Sequence, residues 1–167
     1  MKVIFLDIDG VLNSQKYLIN NYERVIKFYN KYGKDVSDIN LLLERQMLDI
    51  NIDKVKLLKE IIDFTGTLVV IISSWKKLKI YPYVVGKLIS MGIPIIGQTM
   101  DNGDNRGTGI KKYLNENNIT NYVILDDEIF KDYDQELISR LVKTSFYDDG
   151  IKMEHKKEII KKLNRKK

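Results

Sequence analysis

The chain has 167 residues, 44% of them hydrophobic and 31% charged, a balance that supports a hydrophobic core and excludes an intrinsically disordered chain. It contains no cysteine, which excludes a disulfide scaffold and a zinc-thiolate centre and fits a reducing compartment. The net charge is +5, yet residues 152–167 hold eight Lys/Arg and two Glu, leaving 20 basic and 21 acidic groups elsewhere, so the basicity is confined to the tail.

In chain order the pattern alternates between strand and helix. Residues 2–8, KVIFLDI, form a short apolar run rich in β-branched residues, the mark of a buried parallel strand. Residues 14–51 then break the rhythm: an amphipathic piece at 21–33, a polar loop and a second apolar piece at 39–48 read as a small helical cap inserted after the first strand. Tyr22, Tyr29 and Tyr32 recur at near-helical spacing and are expected to pack inward. Residues 53–66 set Val55, Leu58, Ile61 and Ile62 on one helical face and stop at Gly66. A second buried strand follows at 67–74, a helix at 83–92, a third strand at 93–97, a helix at 107–118 with Ile110, Tyr113 and Leu114 inward, a fourth strand at 121–128 and a fifth at 141–146. Asp148-Asp149-Gly150 reads as a turn. The tail at 152–167 forms a terminal helix with Met153, Ile159, Ile160 and Leu163 on an apolar stripe and a cationic outer face, while His155 is placed on the surface.

Alternation of this kind, with proline only at positions 82 and 94, predicts an α/β fold around a mostly parallel sheet, in a single domain over residues 1–167. The start lacks a signal-peptide core and no apolar run approaches the ~18 residues needed to span a bilayer, so a soluble, cytoplasmic chain without membrane contact is expected. Nothing in the sequence identifies a protein partner.

Asp7 and Asp9 sit where a buried strand should still be apolar, and carboxylates are seldom buried uncompensated. In an open parallel sheet, ligands bind beyond the carboxyl ends of the strands. Asp7 ends the first strand, Ser73 and Ser74 the second, Asp126 and Asp127 the fourth, so all three clusters are expected on one edge. Four carboxylates gathered there repel one another unless a cation neutralises them, and an all-oxygen site suits Mg²⁺. An EF-hand is excluded, because Gly10 follows Asp9 directly and the twelfth loop position, Leu18, is not Glu.

DIDGV (7–11), VVIISS (69–74) and VILDD (123–127), in that order, resemble the first, second and fourth motifs of the haloacid dehalogenase (HAD) superfamily of phosphatases and phosphotransferases. NRGTGIKKYL (105–114) resembles the third, with Arg106 in the usual lysine position and Lys111 and Lys112 as competitors. DGVLNS (9–14) and ISSWK (72–76) most resemble the compact HAD domains associated with RNA-repair proteins, with Lys76 where that run usually has arginine. The resemblance implies a HAD-like Rossmannoid three-layer fold. It implies Asp7 as nucleophile, Asp9 as acid/base, and Mg²⁺ held by Asp7, the Asp9 carbonyl, Asp126 and Asp127. Ser73 or Ser74 would orient the phosphoryl group, and Arg106 would offset its charge. Gly10 lets the chain turn, Lys111 is a further substrate contact, and Trp75 is a core or cap contact, or else lines the phosphate pocket or stacks on a base. The implied activity is hydrolysis of a phosphorylated substrate, a nucleotide or nucleic-acid end; a small metabolite, or binding without catalysis, are the alternatives.

Overall fold

A computed structural model describes residues 1–100 and 105–164. Five parallel strands run in the order β3-β2-β1-β4-β5: β1 (Lys2–Leu6), β2 (Leu68–Ile71), β3 (Ile95–Gln98), β4 (Asn121–Asp126) and β5 (Leu141–Lys143). Between β1 and β2 lie α1 (Gln15–Asn20), α2 (Tyr22–Tyr32), α3 (Ile39–Met47) and α4 (Ile52–Thr65). Then come α5 (Tyr81–Ser90) before β3, α6 (Arg106–Glu116) before β4, α7 (Gln135–Arg140) before β5, and α8 (Met153–Leu163).

The central strands alternate faces with the period of two that an extended backbone imposes. Ile4, Leu6, Val69, Ile71, Val123 and Leu125 face one layer, where α4, α5 and α8 bury Leu58, Leu88 and Ile159 against them. Val3, Phe5, Val70 and Ile124 face the other, closed by Ile110 of α6 and Leu137 of α7. This is the α/β arrangement around a parallel sheet that the alternation of the sequence predicts, in the three layers that the resemblance implies.

The helix at 53–66 shows how the pattern becomes an element. Asn51 caps α4 by accepting from the Asp53 amide at 3.0 Å, and Val55, Leu58, Ile61 and Ile62 are all buried. The helix ends where Gly66 takes the left-handed conformation at φ 64°, which a side chain would resist. Truncating Leu58, which is fully buried, costs about 2–5 kcal/mol.

Several expectations are corrected at their margins. The first, second, fourth and fifth strands are shorter than their apolar runs, and the third is shifted towards its carboxyl end. The third strand starts at Ile95 and the fifth stops at Lys143. The helices expected at 83–92 and 107–118 begin one or two residues earlier, and α1 and α7, each of six residues, are too short to show a period. Tyr22 does not pack inward: it is 62% exposed, and Phe28, one turn before Tyr32, takes the buried position. His155 is not a surface residue. It is buried, its Nδ1 accepts the Lys152 amide at 2.9 Å at the start of α8, and burial holds its pKa below the usual value. Met153 lies in solvent while Ile159 and Leu163 enter the core. Residues 165–167 of the basic tail, and 101–104, lie outside the described residues. Among the described residues, no helix is long and apolar enough to cross a membrane.

Candidate active site

The register of the sheet assembles the site. Leu6 pairs with Ile71 on one side and Leu125 on the other, so the chain segments that follow emerge level. The Asp7 amide continues the ladder to the Leu125 carbonyl at 2.9 Å, and the Ile72 amide to the Leu6 carbonyl at 2.9 Å. Asp7, Ser73 and Asp126, distant in sequence, are thereby brought to one edge and buried together.

Arg106, the first residue of α6, is the cation that reaches this edge. Its Nη1 lies 2.6 Å from Asp126 Oδ2 and 3.2 Å from Asp7 Oδ2. The segment after β4 holds it there: Phe130 lies under the guanidinium at 4.2 Å, and Asp132 caps α6 by accepting from the Gly107 and Thr108 amides at 3.1 and 2.8 Å. Asp126, wholly buried, also accepts the Glu128 amide on Oδ1 and the Tyr133 hydroxyl on Oδ2. Lys111 and Lys112 are not brought to this edge. They are exposed, and they pair with Asp134 at 2.7 Å and Glu116 at 3.8 Å.

Among the described residues the charges at this edge do not balance: Asp7, Asp126 and Asp127 each present one carboxylate oxygen, all within 4.8 Å of one another, and the ion pairs there come from the Arg106 guanidinium. Burial, opposed in part by Arg106, raises the pKa of Asp7. Burial and then repulsion from Asp7 push Asp126 up to about 7 and Asp127 up to about 6. Arg106 stays charged because the two carboxylates outweigh the burial that opposes its charge. A buried set of hard oxygen ligands with negative charge left over fits a divalent cation of the Mg²⁺ kind.

Gly10 allows the approach of Asp127. At φ 69° it occupies left-handed space, and a Cβ built there would fall 2.3 Å from Asp127 Cγ. Ser73 is buried and its hydroxyl accepts the Trp75 amide at 3.3 Å, whereas Ser74 is exposed and lines a cleft beside the site. Asp9 stands outside the acidic trio: its carboxylate accepts from Trp75 Nε1 and from Asn13 Nδ2, each at 2.8 Å. Trp75 is 7% exposed and so is a core contact at this edge.

The cleft, about 350 Å³, is lined by Ser74, Lys76, Thr99, Arg106 and Thr108 among others. No described residue of 15–47 lines it; that segment packs α3 against α5 instead. Sequence reasoning missed Asn13, Phe130, Asp132, Tyr133 and Thr99. Asn13, four residues after Asp9 and directly after Val11-Leu12, carried a readable signal; the others lie in loops that only the fold folds back.

The model of the family described as HAD domain in Swiss Army Knife RNA repair proteins matches residues 3–155. No curated protein and no solved structure matches significantly. Motif order, a level row of strand ends and an arginine seated between two buried aspartates agree with that match, and the chain belongs to this HAD family, a phosphatase-type domain of the HAD superfamily.

Proposed function

We propose that the protein is a Mg²⁺-dependent phosphomonoester hydrolase that works through an aspartyl-phosphate on Asp7 and acts on a phosphorylated nucleic-acid end or nucleotide. The observation that carries the reading is the cluster of Asp7, Asp126 and Asp127, the first two buried and paired with the Arg106 guanidinium and the third half-buried beside them, with Asp9 two residues from Asp7. Those three carboxylates, with the Asp9 main-chain carbonyl, would hold the ion. Bound there, it offsets the carboxylate charge and lets an anionic phosphoryl group approach.

The chain's own groups then divide the work. A carboxylate oxygen of Asp7 attacks phosphorus, the bond from phosphorus to the leaving oxygen breaks, and that oxygen takes the electron pair and a proton from Asp9. In the second step water attacks the same phosphorus, Asp9 takes the water's proton, and the bond to Asp7 breaks to restore the carboxylate. Ser73 orients phosphoryl oxygens, and Arg106 stays beside Asp7 through both steps and opposes the charge that gathers in each transition state. That no described residue of 15–47 lines the cleft supports the end of a large substrate over a small metabolite under a lid.

The test is phosphate release from terminally phosphorylated oligonucleotides, nucleotides and an aryl phosphate, by wild type and Asp7→Asn, with Mg²⁺ and with EDTA. Release that needs both the ion and Asp7, and is fastest on the oligonucleotides, supports the reading. Equal release by Asp7→Asn overturns it, and failure to retain a phosphate mimic in the presence of Mg²⁺ overturns it for a chain that shows no release.

A further inference from the structure

A chain of hydrogen bonds ties the carboxylate of Asp9 to both neighbouring loops and, through one of them, to Ser73. The Ser73 hydroxyl accepts the Trp75 amide at 3.3 Å. The indole of the same Trp75 donates to Asp9 Oδ2 at 2.8 Å. Asn13 donates to Asp9 Oδ1 at 2.8 Å, and its own Oδ1 accepts the Gly10 amide at 2.9 Å. Asn13 is 1% exposed and Trp75 is 7% exposed, so neither partner is free to wander. Each Asp9 oxygen therefore has one fixed N–H donor, one from the loop after β1 and one from the short 3₁₀ turn at Ser74–Lys77 after β2.

Resting on the assignment of Asp9 as acid/base above, we propose that Asn13 and Trp75 are positioning residues that clamp its carboxylate from both sides, and that Trp75 couples it to Ser73. The physical reason lies in what general acid catalysis requires. A proton must be delivered along a hydrogen bond to one oxygen at the moment its bond to phosphorus breaks, and a carboxyl free to rotate about its side-chain bonds spends most of its time elsewhere. Two donors on separate loops fix both torsions. The indole also places the carboxylate relative to Ser73, because the Trp75 main chain is bound to that hydroxyl. Seating of the phosphoryl group against Ser73 and aim of the acid thus depend on one residue. The isolated pair of donors is more than packing requires: a phenylalanine fills nearly the same space without an N–H.

The experiment uses the whole chain and measures kcat/KM, which reports steps up to release of the leaving group, over monoesters from para-nitrophenyl phosphate to simple alkyl phosphates. Good leaving groups depart without a proton and poor ones need it. Trp75→Phe is expected to lose about threefold on the aryl ester and about 30-fold or more on alkyl esters, part of the ~10²–10⁴ that acid catalysis supplies. Asn13→Asp, which keeps the acceptor for Gly10 but removes the donor to Asp9, is expected to show the same graded loss. Losses uniform across the series, or absent, overturn the clamp. Asp9→Asn serves as the control for the underlying assignment. If it shows a graded loss while Trp75→Phe does not, the clamp fails and the assignment stands; if Asp9→Asn is uniform, the assignment itself fails.

A second readout needs no turnover. The chain has one tryptophan, so its indole N–H gives one resonance in a nitrogen–proton correlation spectrum. That resonance is expected to shift, and its proton to exchange at least about tenfold faster, in Asp9→Ala, whose partner carboxylate is gone. An unchanged indole resonance overturns the clamp.

Discussion

The two ends of the central sheet treat charge in opposite ways. At the carboxyl end, Asp7, Asp126 and Arg106 are buried, and Asp127 lies against them half-covered. At the amino end, α8 finishes beside the first residue of β4: Asn121 donates to the Leu163 carbonyl at 2.9 Å, and Arg140 donates to the Lys162 carbonyl at 3.1 Å. Lys157 and Lys161 of that helix stay in solvent. The five residues of β1, at about 3.3 Å each, separate the ends by roughly 16 Å, beyond a physiological Debye length of about 8 Å. The few charges at the carboxyl end are therefore expected to govern chemistry and stability together, while at the amino end Arg140 is expected to matter for stability alone and the exposed lysines for neither. Net charge alone points the other way, towards the tail.

Four measurements would sharpen or break that contrast. The largest effect is expected from Asp7→Asn, which removes the proposed nucleophile: kcat should fall by about 10⁴-fold or more, while the melting temperature without divalent cation holds or rises because one buried charge is gone. A fall in both would mean that Asp7 holds the fold together.

The next concerns pH. Asp126 and Asp127 titrate at about 7 and about 6 in the folded chain against 3.8 when unfolded, so between about pH 4 and 7 the folded state binds more protons. Their stabilisation is present below about pH 4 and is lost as the pH rises through about 6 and then about 7. Without divalent cation the melting temperature should fall across that window, and excess Mg²⁺ should flatten the fall. Asp127→Asn should raise the melting temperature near neutral pH. Because Asp127 is only half-buried, solvent screens much of the effect, leaving about 1 kcal/mol, or roughly 2–4 °C. A cation-free melting temperature that does not fall over the window would refute the charge imbalance.

At the amino end, Arg140→Ala is expected to cost about 1–3 kcal/mol in stability, because it removes a charged hydrogen bond to the α8 carboxyl terminus and a cation–π contact with Tyr122 at 5.4 Å. It should leave kcat/KM within about twofold of wild type. The smallest effect is expected for Lys157→Gln with Lys161→Gln. If the tail is only a solvated face, kcat/KM on an oligonucleotide should change by less than about twofold and its salt dependence should not flatten. A clearly flatter salt response would bring the amino end into substrate binding. Substitution is the right probe, since deleting the helix would also remove Ile159 and Leu163 from the core.

Much of the site was legible because its parts sit at strand ends. DIDG, VVIISS and VILDD each pair an apolar run with polar residues just beyond it, and parallel pairing lines such ends up without further instruction. Arg106 was harder to separate from Lys111 and Lys112 by type. Their places on α6 decide it: Arg106 opens the helix and points to the sheet edge, while the lysines lie on its outer side. The supporting groups were mostly illegible. Phe130, Asp132 and Tyr133 act on Arg106 and Asp126 across a loop whose path is set by packing, and no periodicity encodes that path. His155 misled for the opposite reason, since a histidine in a cationic run reads as solvated until its helix docks.

The α/β fold around a parallel sheet and the row of acidic strand ends were legible in local periodicity and adjacent residues, and the family in the order of four short motifs. Only the folded chain brings Asp7 and Asp126 to one guanidinium, grips Asp9 between Asn13 and Trp75, and packs α3 on α5. Those outcomes depend on distances between residues far apart in the chain and on which charges water can reach, and both are set only when the layers close.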